Sequence, residues 1–254
     1  MFSEEINNVS KAAKGKSDLL KNNGLGYFLA SILAGLYIGI GILLIFTAGG
    51  FLSASQSPLT KIVMGLSFGI ALSLVIFAGA ELFTGNNFVM SIGYLKKAVT
   101  FNEALKVWIV SFLGNLVGSI ITAYLYFLSG LSKGVVGEFI VKTSNLKISG
   151  SLIELFIRGI FCNILVCLAV WMAIKMKSES GKLIMIFWCL FAFITIGFEH
   201  SVANMTLLSI GHFISSEGVT LGGVIYNLAV VTLGNFVGGG ILLALPYYII
   251  SKES

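Results

Sequence analysis

Charge is scarce in this sequence: charged residues fill 11% of 254 positions, hydrophobic residues 57%, and the mean hydropathy is +0.98. A water-soluble domain needs more polar surface than that, so a soluble enzyme or binding module is excluded and lipid is the expected solvent. Cysteines number three, Cys162, Cys167 and Cys189, all inside apolar runs. An odd count in such places excludes a disulfide framework. The two histidines, His200 and His212, stand in no ligand spacing, so neither a metal site nor another cofactor is expected. A membrane-embedded enzyme or redox subunit would need paired ligands, a nucleophile with its base, or a cofactor motif, and none is visible. The absence of a phosphate-binding glycine loop removes ATP-driven transport.

What is abundant is apolar length. Runs that cross about 30 Å of hydrocarbon as helix, roughly 20 residues each, recur without the alternation of a barrel strand. Six spans are expected, at about 26–50, 62–94, 104–129, 151–176, 182–213 and 219–250. They form one pore domain over 26–250, between an N-terminal segment 1–25 and a tail 251–254. The N-terminal segment shows no cleavable leader and reads either as a surface helix or as a solvated tail. Six spans put both ends on one side, where eleven lysines lie against four on the other (Lys61, Lys133, Lys142, Lys147). With Arg158 set aside as membrane-embedded, the positive-inside rule makes both termini cytoplasmic.

The chain repeats itself. The second span carries GAELFTGNN (Gly79–Asn87) and the fifth GFEHSVANM (Gly197–Met205), each with a Glu followed five residues later by Asn: Glu81 with Asn86, Glu199 with Asn204. The third and sixth spans carry GNLVG (Gly114–Gly118) and GNFVG (Gly234–Gly238). The offsets, 118 and 120 residues, define a duplicated three-span unit. Three is odd, so the second copy enters the membrane upside down, and a solute site is expected near the midplane where the second and fifth helices are interrupted.

A Glu or His in mid-span is costly to bury and normally faces a cavity or a partner, which singles out Glu81, Glu199 and His200. The freed N–H groups of two broken helices, aimed at a common centre, favour an anion. The glutamates serve either that cavity or as caps that accept from the freed N–H groups. His200 is either a satisfied core residue or, as an imidazole able to donate one proton and accept another, a functional one. His212 reads as interfacial, Glu154 and Arg158 as a structural pair, and the small-xxx-small glycines as helix contacts.

The segments GAELFTG, GNLVG, FCNILVCLAVWM (Phe161–Met172), GFEHSVANM and VTLGNFVGGG (Val231–Gly240) resemble the signature segments of the formate/nitrite transporter family, above all its hydrosulfide-channel branch. The resemblance runs in order over nearly the whole chain. It implies an aquaporin-like inverted repeat of six helices, assembled as a homopentamer with one pore per protomer, in a bacterial inner membrane. It makes His200 the central histidine, Lys147 the lysine before the fourth span, in a loop, and Thr84 the threonine of the second-span break. Asn163 and Asn235 match pore asparagines, and Phe68, Leu72, Leu82 and Phe193 the hydrophobic constrictions. Asn86–Asn87 departs from the formate-type pattern.

The expected function is selective passage of a small monovalent weak-acid anion, hydrosulfide first, with formate or nitrite as the alternative, by channel or proton-coupled transport. The anion is drawn by Lys147, meets His200 and Thr84 as donors, and crosses the apolar ring as the neutral acid, because a bare anion there pays a heavy desolvation penalty. A neutral-solute channel of aquaporin type would need Asn-Pro-Ala breaks, yet neither proline, Pro58 or Pro246, sits in one.

Overall fold

Six helices long and apolar enough to cross a membrane organise the chain in a computed structural model that describes residues 1–252. The last two residues of the expected tail lie outside the described residues. In chain order the helices are α1 (Ser3–Asn22), α2 (Gly24–Ala54), α3 (Thr60–Ser67), α4 (Gly69–Leu74), α5 (Phe83–Leu95) and α6 (Phe101–Leu128) in the first half. The second half holds α7 (Val135–Ile148), α8 (Leu152–Lys175), α9 (Glu179–Ile196), α10 (Ser201–Ile214), α11 (Leu221–Phe236) and α12 (Ala244–Ile250). A π-helical turn, Val75–Gly79, follows α4, and a second, Val237–Leu243, joins α11 to α12. Large apolar side chains such as Leu29, Leu44, Ile109, Leu113 and Ile225 remain exposed on the outer faces, as a lipid-embedded bundle requires.

The second and fifth spans are interrupted, as expected. Gly79 (φ +82°) and Gly197 (φ +95°) end the first half of each broken helix in the left-handed region, where a side chain would be strained. The next three residues of each, Ala80–Leu82 and Phe198–His200, precede the restart at Phe83 or Ser201. Leu82 and His200, the residues just before the restart, are both extended.

The inverted repeat reaches down to single contacts. The Glu81 N–H donates to the Ala30 carbonyl and the Glu199 N–H to the Arg158 carbonyl. A Cβ on Gly118 would strike the Ile32 carbonyl, and one on Gly238 the Ile160 carbonyl. Glycine at these positions is therefore a condition of α2 meeting α6, and of α8 meeting the π-helical turn, backbone to backbone.

Two elements differ from the sequence expectation. The N-terminal segment is a helix, as one of its two readings had it, but it is packed on the bundle: α1 docks through Ile6, Val9 and Ala13, all fully buried. These residues recur at helical spacing, but the apolar stripe is short, so the pattern is weak in sequence. Lys147 stands in the last turn of helix α7, not in a loop. α1 and α7 precede the first span of each half and extend the repeat by one element.

Candidate functional site

Two cavities enter the bundle from opposite ends. One, about 610 Å³, is lined by Lys147, Glu199, His200 and Phe193; the other, about 440 Å³, by Lys16, Glu81, Leu72 and Leu82. Between them lie Phe68, Leu72, Leu82 and Phe193, all buried, with Phe68 edge-on to Phe193 at 5.6 Å between ring centroids. Phe193 in turn stacks on the His200 ring at 5.9 Å. A hydrated ion arriving from either side meets hydrocarbon here, where losing its water is not repaid.

Within this apolar plug, Thr84 and His200 bring the two half-helix starts together. Thr84 Oγ1 lies 2.9 Å from His200 Nε2. His200 caps α10, its Nδ1 accepting from the Ala203 N–H at 3.0 Å. A backbone N–H can only donate, so a neutral ring carries its proton on Nε2 and passes it as a hydrogen bond to Thr84 Oγ1. Among the described residues the Thr84 hydroxyl has no other partner, leaving its own hydrogen free. The chain Ala203 N–H, His200, Thr84 thus ends in one polarised O–H donor, fully buried and lining neither cavity, of a kind suited to an oxygen or sulfur acceptor. A second proton on His200 would have to displace the Ala203 bond, so free two-way proton exchange at this ring, expected from its chemistry alone, meets a geometric obstacle.

Of the two roles open to the glutamates, both line the cavities, Glu81 one and Glu199 the other, and their hydrogen bonds are not those of caps. Glu81 accepts from Lys16 Nζ (2.7 and 2.8 Å), the Tyr27 hydroxyl (2.9 Å) and Asn86 Nδ2 (3.3 Å). Glu199 accepts from Lys147 Nζ (2.7 Å) and Asn204 Nδ2 (2.6 Å), and Asn204 continues to Asn227 Oδ1 (2.9 Å). Each break therefore holds a Lys–Glu–Asn triad beside a vestibule, and neither carboxylate binds a freed backbone N–H. Charge pairing with the lysine of the helix that opens each half, Lys16 on α1 or Lys147 on α7, satisfies it instead.

The capping falls to asparagines. Asn115 Oδ1 accepts from the Phe83 N–H and its amide donates to the Ser31 and Glu81 carbonyls, at 2.9, 2.7 and 2.9 Å. Asn235 repeats the pattern with the Ser201 N–H and the Gly159 and Glu199 carbonyls, at 2.9, 2.8 and 2.9 Å. Asn235 was expected to face the pore, but its three bonds are spent on the broken backbone, because unpaired N–H and C=O groups at this depth are costly. Asn163 likewise turns its amide to the Asn235 carbonyl (2.7 Å) and lines neither cavity.

Four residues of this site escaped the sequence reading. Asn115 was legible, since both GN pairs sit in the repeated segments. Lys16 was not, because its match to Lys147 shows only once both are seen on helices, each one element before a half's first span. Tyr27 and Asn227 carried no signal, because they belong to no repeated motif.

With this geometry in hand, residues 3–249 match the family described as "Formate/nitrite transporter". The protein named "Nitrite transporter NirC" of Escherichia coli strain K12 is 44% identical over 250 residues, 98% of this chain and 92% of that one. Among solved structures, an "FNT family ion channel" superposes with a TM-score of 0.93 at 40% identity over 99% of this chain and all of the other. A "Pentameric formate channel with formate bound" gives 0.79 at 30% identity over 91% and 98%. These relatives are transporters and channels, not enzymes, and their names speak of nitrite and formate where the sequence had pointed first to hydrosulfide. A duplicated three-span unit, two facing vestibules closed by one apolar plug, and matches along the full length agree: the chain belongs to the formate/nitrite transporter family.

Proposed function

We propose that this protein passes a small monovalent weak-acid anion through a pore in each protomer, with His200 and Thr84 as the central polar contacts. The observation that carries this reading is an apolar plug, Phe68, Leu72, Leu82 and Phe193, whose polar break is a single donor chain ending at the Thr84 hydroxyl. Such a plug rejects any ion that must cross bare. A weak-acid anion escapes: stripping its water favours the neutral form, so it takes a proton from the water of the vestibule, accepts from Thr84, crosses uncharged and returns the proton to water on the far side. Chloride has no such form.

Nitrite is the first anion to test, because it names a relative of 44% identity; formate and hydrosulfide share the chemistry that the plug demands. We place the Lys147 vestibule outside and the Lys16 vestibule inside, following the lysine distribution, and expect five copies to assemble, as in the pentameric formate channel. The test is flux into proteoliposomes. Nitrite, formate and hydrosulfide should move faster as external pH falls while chloride stays excluded. Chloride moving as fast as nitrite, or no movement of any of the four, would overturn the reading.

A further inference from the structure

The two vestibules are built alike but charged differently. The Lys147 vestibule is lined by Lys61, Lys142, Lys147 and Arg158 against one carboxylate among the described residues, Glu199. The Lys16 vestibule has Lys16 against Glu81 and is balanced. Lys147 and Lys16 both sit 2.7 Å from their glutamates, so each is neutralised where it stands. The surplus positive charge therefore belongs to Lys61, Lys142 and Arg158. Lys147, the lysine singled out by resemblance, supplies none of it.

Arg158 is the residue that breaks the internal symmetry. Its carbonyl receives the Glu199 N–H just as the Ala30 carbonyl receives the Glu81 N–H. Ala30 lines its own vestibule and Arg158 lines the other, so the repeat directs this position into the mouth in both halves and places a guanidinium in only one. Among the described residues the one carboxylate within 4 Å of its guanidinium is that of Glu154, at 3.8 Å, with both side chains about half exposed, 46% and 55%. The Glu154 carboxylate is already held by the Ser151 hydroxyl at 2.9 Å, in the capping box of α8. Glu154 does not line this vestibule, so of the pair only Arg158 is part of its wall.

We propose that Arg158, with Lys61 and Lys142, forms an anion-collecting subsite in the Lys147 vestibule, giving the pore a lower half-saturating concentration from that side than from the other. The inference rests on the passage of anions proposed above and adds its sidedness. A passive pore at zero potential has one ratio of maximal rate to half-saturation in both directions. An attractive well at one mouth thus shows as earlier saturation from that side, not as faster net passage at low concentration.

The experiment compares nitrite uptake into right-side-out and inverted vesicles at zero potential, in potassium gluconate from about 20 mM to about 500 mM. The side carrying the subsite is located by labelling a Lys133→Cys variant. The parent should half-saturate at several-fold lower nitrite from the Arg158 side at low salt, with the two sides converging at high salt. Arg158→Gln should raise that concentration about threefold at low salt and leave the opposite side unchanged, and Lys61→Gln with Lys142→Gln should raise it further. Equal half-saturation from both sides in the parent, or no shift in assembled Arg158→Gln protein, would overturn the subsite while leaving anion passage standing. Parent vesicles that move no nitrite, formate or hydrosulfide would sink the passage itself and the subsite with it.

Discussion

Thr84 and His200, 116 residues apart and each at the start of a half-helix from a different repeat, meet at 2.9 Å in the middle of the molecule. The contact joins the two halves at the narrow part of the proposed path, and it orders the proton positions: Ala203 holds Nδ1, so Nε2–H faces Thr84.

Replacing His200 with Phe keeps a ring of similar bulk against Phe193 but removes both hydrogen bonds. Weak-acid flux should fall at least tenfold in liposomes, and the loss of the α10 cap should cost about 1 kcal/mol of stability. Parent-rate flux of nitrite, formate and hydrosulfide, with its pH dependence intact, would leave His200 a structural cap only.

The plug makes the opposite prediction. Leu82→Ala combined with Phe193→Ala should wet the constriction and admit chloride, because the penalty for a bare ion falls once water accompanies it. Continued exclusion of chloride by a folded double variant would place selectivity elsewhere, with Phe68 and Leu72 the remaining apolar barrier.

Lys147 is bonded as part of a pair, and its loss should look like the loss of a pair. Lys147→Gln strands the Glu199 carboxylate, 5% exposed, and should lower stability by about 3 kcal/mol and depress flux at every ionic strength. Adding Glu199→Gln should recover much of both. An effect of Lys147→Gln confined to low salt and absent from thermal melting would instead make Lys147 a free collecting charge.

Asn115 and Asn235 serve equivalent breaks, so Asn115→Leu and Asn235→Leu should destabilise the protein alike, by about 3 kcal/mol each for three lost backbone bonds. Melting in mild detergent measures this. A variant of either asparagine that melts with the parent would show the break is satisfied by other groups.

The six spans, their interruptions and the inverted repeat were legible because lipid imposes the rules that write them: length, apolarity and internal backbone pairing. His200, Glu81 and Glu199 stood out because ionisable residues in mid-span are rare, whereas Thr84 came only with the resemblance. What those residues bond to was less legible. Glu81 could be seen to need a partner, but Lys16 lies on α1, a helix whose buried apolar residues are Ile6, Val9 and Ala13, too short a stripe to read. Resemblance carried Asn163 and Asn235 into the pore, whereas the hydrogen bonds of Asn235 show that a broken helix consumes a polar side chain before any solute can use it.

Where α2 meets α6 at Gly118, and α8 meets the π-helical turn at Gly238, one backbone rests on another's carbonyl with no side chain between. Interfaces made of side chains can repack through alternative rotamers; a contact between main chains has no second arrangement of that kind. These two crossings are therefore held by main-chain contacts that no change of rotamer can loosen, unlike the plug, which Phe68, Leu72, Leu82 and Phe193 build from side chains alone.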